Sequence, residues 1–393
     1  MLGMLNELFA ATLARATVPY VRKRVLGWLR ELESSEPSPP SLPNRPLSLY
    51  LHVPFCTNLC KFCHFVRYPF EEEKARKYFR KLINDVYSAY GNDVEVKEVY
   101  IGGGSPSCLP DMLGELVDVL WDLWKPEISL EVNPKDVVHR DALDYLDSNK
   151  VRRISMGVQS FFEERLRELG RPVSEEENWE AIQLIKEKNF HTFNIDLIWG
   201  VNDMKEELEK AFACGANQIT FYPLMPFPAK GITGELKGFK VYQQIVREAE
   251  KNGFCRANAW TFSKGKSMVD EYISECSDFL GLGVSSFSLI NGVSHVNTFS
   301  IDKYLESKDW FPNEHSLKLS RKDLDGFRKA FALHSNPKYL GLRGESFWYL
   351  GVIVLREMYT ILGEYRKMKM AAATSENRND RTVAETLKKL QQP

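Results

Sequence analysis

The chain has 393 residues, of which 44% are hydrophobic and 27% are charged, as in an ordinary globular protein. Its 52 basic and 53 acidic residues nearly cancel, which disfavours a nucleic-acid partner because phosphate backbones are bound by an excess of positive charge. Seven cysteines are too sparse for a secreted disulfide scaffold. The length exceeds what one core usually serves, so one large domain with an appendage, or two domains, is expected.

The first 46 residues are predicted to lie outside the main domain. Residues 1–33 have an apolar stripe at helical spacing, which predicts one or two amphipathic helices with a break or kink at Pro19. We expect this segment to pack on the outside of a barrel, and a membrane-surface helix is the alternative. Residues 34–46 are rich in Pro and Ser and predict an extended linker. No apolar run is long enough to cross a bilayer and the first residues lack a basic export signal, so a cytoplasmic location is expected and a membrane partner is not.

From residue 47 onward, short β-rich runs alternate with longer helical stretches. The predicted strands are LSLYLHV, EVKEVYI, EISLEV, VRRISMGV, HTFNIDLIW and ANQITFY. The predicted helices cover 71–90, 109–124, 139–149, 162–189, 203–214 and 238–253. This alternation predicts an α/β fold: a parallel sheet with helices outside, closed or nearly closed into a barrel, with functional groups at the carboxyl ends of the strands. Beyond residue 255 we expect a tight turn at 281–288, mostly helix over 300–369, and a frayed tail or loose helix.

The strongest chemical signal is a group of three cysteines directly after the first strand. Cys56, Cys60 and Cys63 have the spacing C-x3-C-x2-C. Thiolates are the usual protein ligands of iron–sulfur clusters, and three ligands for a cubane leave one iron open to a substrate or cofactor. The alternative is a zinc site completed by His64 or a distant cysteine. Structural zinc usually has paired ligands and a closed tetrahedron, so the cluster is the favoured interpretation.

Two further patterns place polar or flexible groups at strand ends. The segment YIGGGSPSCL ends the second predicted strand, and its glycines let backbone approach a ligand closely. Glu131, Gln159 and Asp196 lie late in the third, fourth and fifth apolar strands. A carboxylate in such a strand is costly without a partner, so three polar residues at the same end of a barrel predict a polar ligand there. Cys108 is expected to be a small buried residue and not a ligand.

These motifs together resemble the radical S-adenosylmethionine superfamily, and within it the HemN-like and HemW-like branch typified by oxygen-independent coproporphyrinogen III oxidase. The resemblance covers about Leu47 to Ser288 and includes the motif Tyr-x-His-x-Pro-Phe-Cys-x3-Cys-x2-Cys. It implies a partial (β/α)6 TIM-like barrel with an N-terminal helical extension and a mostly helical C-terminal region. It also implies a [4Fe–4S] cluster, one or two molecules of S-adenosylmethionine, and reductive cleavage to a 5′-deoxyadenosyl radical. Reduced flavodoxin or ferredoxin would be the electron donor.

The resemblance also implies roles for individual residues. Three residues would face the methionine moiety: Gly103, Gly104 and Ser105. Arg171 would meet the methionine carboxylate, and Gln159 and Asp196 would face the ribose hydroxyls, with Glu131 in the nearby polar network. The adenine would lie beside Phe62 and the segment with Tyr222 and Pro223. Tyr50 would contact a second S-adenosylmethionine.

The sequence departs from the porphyrinogen-decarboxylating pattern at one position. Members with that activity commonly have a fourth cysteine two positions after the third, where this chain has Phe65.

Three domains are predicted: an N-terminal helix and linker over 1–46, a radical S-adenosylmethionine core over 47–290, and a substrate-determining region over 291–393. Two functions stay open. One is an enzyme, an oxidoreductase or a C-methyltransferase or cyclopropanase, acting on a small organic or tetrapyrrole-like substrate. The other is a haem-binding trafficking protein, although His295, His315 and His334 are favoured as surface or core residues over haem ligands.

Overall fold

The computed structural model describes residues 2–200, 204–226, 238–265, 278–374 and 387. In chain order its strands are β1 (Leu47–Val53), β2 (Phe55–Cys56), β3 (Tyr68–Pro69), β4 (Val96–Gly103), β5 (Glu127–Val132), β6 (Val151–Gln159), β7 (Thr192–Trp199), β8 (Gln218–Pro223), β9 (Cys255–Arg256), β10 (Thr261–Ser263), β11 (Phe279–Leu282), β12 (Phe287–Ile290), β13 (Val293–Asn297) and β14 (Asn313–Lys318). Its α-helices are α1 (Leu2–Glu33), α2 (Glu72–Gly91), α3 (Pro110–Trp124), α4 (Pro134–His139), α5 (Glu163–Glu168), α6 (Glu175–Glu187), α7 (Lys205–Ala213), α8 (Gly238–Lys251), α9 (Ile301–Glu306), α10 (Arg321–Ser335) and α11 (Glu345–Thr374).

The main sheet confirms the predicted parallel α/β architecture. Strands β1, β4, β5, β6, β7 and β8 are neighbours in that order and each pair is parallel. Helices between consecutive strands cover the outside, as parallel strands require because both of their faces are buried. At one edge β8 pairs with β10 in antiparallel fashion, and at the other β1 pairs with β11 in parallel. The sheet is thus a partial barrel with an addition at each edge.

One local prediction was wrong. The helix expected over 139–149 begins earlier, at Pro134, because the Asn133 side chain caps it by accepting from the amide of Lys135. It ends at His139, and Asp141 takes a positive φ of 51° before a short 3₁₀ helix, Ala142–Tyr145. Of the two arrangements expected for residues 1–33, the structure has the single helix, α1, which runs through Pro19 without a break.

The region after residue 255 contains more strand than the sequence pattern indicated. β11 occupies the first part of the expected turn at 281–288, and β12, β13 and β14 continue the sheet as antiparallel neighbours. Residues 300–369 are otherwise mostly helical, as predicted. The hairpin of β12 and β13 spans the predicted domain boundary at 290, and the division into core and substrate-determining region stays a prediction.

Helix α1 packs on the C-terminal helices, which corrects its predicted place on the barrel's outside. The indole of Trp28 meets the ring of Phe327 on α10 edge to face, with centroids 5.4 Å apart. Nη1 of Arg22 lies 2.9 Å from Oε1 of Glu357 on α11. The segment 34–46 then runs without helix or strand to β1, as predicted for a linker. Helices α1, α10 and α11 thus form a helical layer.

The described helices include none that is long and apolar enough to cross a membrane. The cytoplasmic location stays a prediction. The predicted frayed tail follows Thr374. Apart from residue 387, it lies outside the described residues.

Candidate functional site

The cysteine loop follows β1 directly and is closed by a short parallel strand pair. β2 ends at Cys56 and pairs with β3, and the amide of Phe70 donates to the carbonyl oxygen of Cys56 at 2.9 Å. Cys60 and Cys63 lie in the segment between these two strands. Cys56 and Cys60 are buried, whereas Cys63 is half-buried. The pairing of β2 with β3 therefore fixes both ends of the loop that carries the three thiols.

The glycine segment after β4 lies against the cysteine loop. The amide of Gly104 donates to the carbonyl oxygen of Val53, and the amide of Ser105 to that of Phe55, both at 2.7 Å. A Cβ on Gly104 would lie 2.6 Å from the Phe55 carbonyl oxygen, a clash with backbone that a side-chain movement cannot relieve. Gly103 has a φ of 113°, a backbone conformation that residues other than glycine rarely adopt. Glycine is therefore needed where the two loops meet.

His52 fixes the far end of the cysteine loop. Its Nε2 lies 3.0 Å from the carbonyl oxygen of Val66, and its Nδ1 lies 2.8 Å from the hydroxyl of Tyr50. Burial lowers the pKa of His52 to about 3, so the imidazole is neutral. Because a carbonyl oxygen can only accept, Nε2 carries the proton and Nδ1 accepts from the Tyr50 hydroxyl. Burial also raises the pKa of Tyr50 far above its usual value, so this hydroxyl stays a donor.

Two arginines contact the cysteine loop. Nη2 of Arg67 donates to the carbonyl oxygens of Cys60 and Cys63 at 3.1 and 3.4 Å. Nη1 of Arg171 lies 3.7 Å from the Sγ of Cys60, and Nη2 donates to the carbonyl oxygen of Gly157 at 2.6 Å. Thiols must be anionic to bind metal, and burial alone raises the pKa of a thiol. Burial raises the pKa of the Cys56 thiol to about 12, and the positive charges of Arg67 and Arg171 act in the opposite direction.

Asp196 is held by a small polar network at the end of β7. Its carboxylate accepts from Nδ2 of Asn194 at 2.7 Å and from Oγ of Ser155 at 3.1 Å. Oγ1 of Thr220 in turn donates to Oδ1 of Asn194 at 3.0 Å. These contacts offset the cost of a half-buried charge and hold the carboxylate in one orientation.

Glu131 is the next-to-last residue of β5, and Gln159 is the last residue of the adjacent strand β6. Glu131 accepts from the Tyr100 hydroxyl and, at 3.1 Å, from the backbone amide of Gly103. It therefore ties β5 to the glycine segment. Gln159 closes β6 after a shift in strand register and has a φ of 69°, a conformation that few residues other than glycine adopt. Such strain is commonly found at functional sites.

The predicted adenine side is apolar. Phe62 packs against Leu169, Ile198 and Leu224 in a small cluster apart from the main core. Pro223 is the last residue of β8, beside Tyr222.

One cavity of about 430 Å³ collects all of the sequence-predicted site residues. They are Tyr50, Cys56, Cys60, Phe62, Cys63, Gly103, Gly104, Ser105, Glu131, Gln159, Arg171, Asp196 and Pro223, with Tyr222. Apolar side chains from the helical layer line the same cavity: Val25, Trp28, Phe327, Phe331, Leu355, Met358, Tyr359 and Leu362. The residues therefore lie together, while their roles toward a cofactor stay predictions.

The donor set fits a cluster with a ligand beside it. Three thiols line the cavity, and among the described residues no three His, Cys, Asp or Glu side chains are grouped so as to hold a single metal ion. In a cubane each thiolate binds a different iron, so the thiols need not converge on one point. Nε of Arg67 and Nε of Arg171 are buried without a partner within the described part of the chain. Unsatisfied cationic donors beside thiols favour an anionic group in this space.

The sequence patterns missed several residues that support the site. His52 stood inside the quoted motif without an assigned role. Asp136, just after β5, accepts from the hydroxyls of Ser105 and Ser107 at 2.6 and 2.8 Å. Asp136 gave no sequence signal of the kind that marked Glu131, because it lies in the polar segment NPKDVVHR. Arg67 gave none either, because a lone arginine in a loop is ordinarily exposed.

The comparison with protein families decides the identity of this domain. The profile described as the radical SAM superfamily matches residues 50–213. These residues include the cysteine loop, the glycine segment and the polar strand ends. Residues 50–213 form a radical SAM domain. Such a domain implies a [4Fe–4S] cluster and S-adenosylmethionine as cofactors.

Similar proteins carry two different names. The chain is 24% identical over 285 residues to the heme chaperone HemW of Bacillus subtilis (66% of this chain, 75% of that protein). It is 35% identical over 195 residues to the heme chaperone HemW of Escherichia coli (46% of this chain, 50% of that protein). It is also 32% identical over 186 residues to the oxygen-independent coproporphyrinogen III oxidase of Salmonella typhimurium (45% of this chain, 40% of that protein).

A solved structure supports the fold. The coproporphyrinogen III oxidase HemN of Escherichia coli, described as a radical SAM enzyme, superposes with a TM-score of 0.65 over 76% of this chain and 79% of that one. The sequences are 23% identical, so this likeness concerns the fold. The partial barrel with a helical C-terminal region is shared.

The first prediction concerns the cluster ligands. Replacing Cys56, Cys60 or Cys63 with Ala should abolish a cubane that otherwise contains about four irons and four sulfides per chain. Cys108→Ala, Cys214→Ala and the exposed Cys255→Ala should leave iron and labile sulfide unchanged, and so should Cys276→Ala, which lies outside the described residues. The measurement is metal and sulfide analysis after anaerobic reconstitution. One tightly bound zinc with no labile sulfide would contradict the assignment.

The second prediction concerns the polar strand ends. Asp196→Ala and Gln159→Ala should keep the cluster but weaken S-adenosylmethionine binding, because each removes hydrogen bonds worth ~1–3 kcal/mol, or roughly 5- to 150-fold in affinity. Equilibrium dialysis measures the affinity, and Asp309→Ala at an exposed site is the matched control. Unchanged affinity in both cavity variants would show that these side chains do not hold the ligand.

Proposed function

We propose that the chain is a radical S-adenosylmethionine enzyme of the HemN-like type that acts on a small organic or tetrapyrrole-like substrate. The observation that carries this proposal is the composition of the cavity. Thiols, carboxylates and arginines from the strands and their following loops line the cavity, and apolar side chains of α1, α10 and α11 line the same space. A cofactor site and a substrate chamber would thereby be joined in one volume.

When bound, the cluster and S-adenosylmethionine would supply a one-electron cleavage that yields a carbon radical able to abstract hydrogen. The cysteine thiolates would hold the cluster. Arg171 would bind the methionine carboxylate, because its Nη1 already lies beside Cys60 and its Nε is buried without a partner among the described residues. Asp196 would accept hydrogen bonds from the ribose hydroxyls, and Gln159 would donate hydrogen bonds to them. Phe62 would contact the adenine ring.

The helical layer would hold the substrate and exclude water. Hydrogen abstraction requires the target carbon to lie close to the reactive centre, and a misplacement of about 1 Å can cost on the order of 100-fold in rate. Leu355, Met358, Tyr359 and Leu362 recur along one face of α11 and line the cavity. Phe327 and Phe331, which are one turn apart on α10, line the same cavity. Large apolar side chains on both helices favour a substrate with an apolar body.

The reaction type stays open between hydrogen abstraction alone and transfer of a methyl or methylene group from a second S-adenosylmethionine. Tyr50, Gly103 and Glu131 lie close together, since Glu131 accepts from the amide of Gly103 and the rings of Tyr50 and Tyr100 stack at 6.0 Å. This group would face a second molecule of S-adenosylmethionine. Reduced flavodoxin or ferredoxin would be the electron donor.

The third prediction tests enzyme chemistry and substrate together. With S-adenosylmethionine and dithionite under anaerobic conditions, the reconstituted protein should release 5′-deoxyadenosine, measured by mass spectrometry, and Cys60→Ala should release none. With coproporphyrinogen III added, we expect no meaningful formation of protoporphyrinogen, because Phe65 stands where decarboxylating relatives have a cysteine. Product formation at the rate of 5′-deoxyadenosine release would show that coproporphyrinogen III is the substrate after all.

A haem-trafficking function is the second candidate, and one residue favours it. His334, near the end of α10, is buried in the cavity wall, and its ring meets Trp260 edge to face at 4.9 Å. Burial lowers its pKa to about 3, so the imidazole is neutral, the form that binds iron. Nδ1 has no hydrogen-bond partner within the described part of the chain. Proteins named heme chaperone HemW are among the similar sequences.

The fourth prediction separates the two candidates. If haem is cargo, adding haemin to the purified protein should give a shifted Soret band that His334→Ala abolishes and His139→Ala, at an exposed site, leaves intact. The visible spectrum is the measurement, with cluster content as the check on folding. A spectrum of unbound haemin in the wild type would exclude the trafficking function.

A further inference from the structure

Arg366 on α11 is placed differently from the other arginines of the cavity. Arg67 and Arg171 bind the carbonyl oxygens of Cys60 and Gly157. Arg153 donates to Oε1 of Gln218 at 2.7 Å and to Oγ of Ser129 at 3.0 Å. Those three guanidinium groups are thus partly satisfied by the protein itself.

The guanidinium of Arg366 instead lies over two aromatic rings. Its Cζ lies 5.3 Å from the ring centroid of Phe65 and 5.7 Å from that of Phe287. Its Nη1 is buried and has no hydrogen-bond partner among the described residues. Ring faces attract a cation but accept no directed hydrogen bond of the strength a carboxylate offers. The two rings therefore hold the guanidinium in place, while Nη1 has no acceptor among the described residues.

Arg366, Phe65 and Phe287 all line the cavity, and Phe65 follows Cys63 by two positions. The surplus donor consequently lies at the junction of the cysteine loop and the apolar chamber. A ligand that fills the apolar chamber and accepts a hydrogen bond from Nη1 of Arg366 would have an apolar body and an acidic group. Arginine matches a carboxylate with two parallel N–H donors, which gives direction as well as charge.

We propose that Arg366 anchors a carboxylate of the substrate, so that the substrate class is an apolar carboxylic acid. This inference rests on the proposed function, because it places the substrate in the cavity beside the cluster. Phe65 then has a role of its own: its ring holds the guanidinium that receives the acid. Two sources share this chemistry, a planar macrocycle with acidic side chains and an aliphatic acid.

The test compares acids with their esters on the reconstituted protein. Protoporphyrin IX and its dimethyl ester form one pair of probes, and palmitate and methyl palmitate the other. Binding is measured by quenching of tryptophan fluorescence for the porphyrins, and by displacement of bound porphyrin for the fatty acid pair, since Trp28 and Trp260 line the cavity. The wild type should bind at least one acid about 10-fold more tightly than its ester, and Arg366→Gln should lose this preference without weakening the ester.

Arg366→Lys keeps the charge and should retain part of the preference, while Arg328→Gln, the same change at an exposed site on α10, should have no effect. Preference for the porphyrin acid alone identifies a macrocycle, and preference for palmitate alone identifies an aliphatic acid. Equal binding of acids and esters by the wild type, or an unchanged preference in Arg366→Gln, would overturn the proposal.

S-adenosylmethionine affinity and iron content are measured in the same variants. Loss of S-adenosylmethionine binding in Arg366→Gln would reassign the arginine to the cofactor, whereas a wild type without cluster or S-adenosylmethionine would contradict the proposed function itself.

Discussion

The close contact between the cysteine loop and the glycine segment is the constraint on which the site depends. Gly104 approaches the backbone of Phe55 so closely that a Cβ would lie 2.6 Å from its carbonyl oxygen. The same two segments are joined by hydrogen bonds of 2.7 Å at Gly104 and Ser105. Through the amide of Gly103, this contact extends to Glu131 and hence to β5. The thiols are thereby fixed relative to the strand ends that carry the polar groups.

The sequence predicted the parallel α/β core, and the structure brings the polar residues that were singled out to one cavity. Strand–helix alternation specifies a parallel sheet, and a parallel sheet brings the carboxyl ends of its strands to one edge. Glu131, Gln159 and Asp196 could be recognised because polar side chains are costly late in apolar strands. The three cysteines were recognised by spacing alone. Each of these signals is local in sequence, and the fold converts it directly into position.

The rest could not be predicted because it depends on contacts between segments far apart in the chain. Helical periodicity shows that α1 and α11 each have an apolar face, but it does not show that they pack on each other or line the cavity. The strands after β10 are short, and the pairing of β11 with β1 joins segments far apart in the chain. Arg366 looks like an ordinary helix-surface arginine until Phe65 and Phe287 are placed beside it.

The central claim is that a cluster with one open iron and S-adenosylmethionine share this cavity. Electron paramagnetic resonance of the dithionite-reduced protein, recorded with and without S-adenosylmethionine, tests it most directly, because a ligand on the open iron changes the electronic environment of the cluster. The account predicts a signal from one [4Fe–4S] cluster whose g values shift when S-adenosylmethionine is added. A cluster signal that stays unchanged at saturating S-adenosylmethionine, or the absence of any cluster signal, would contradict it.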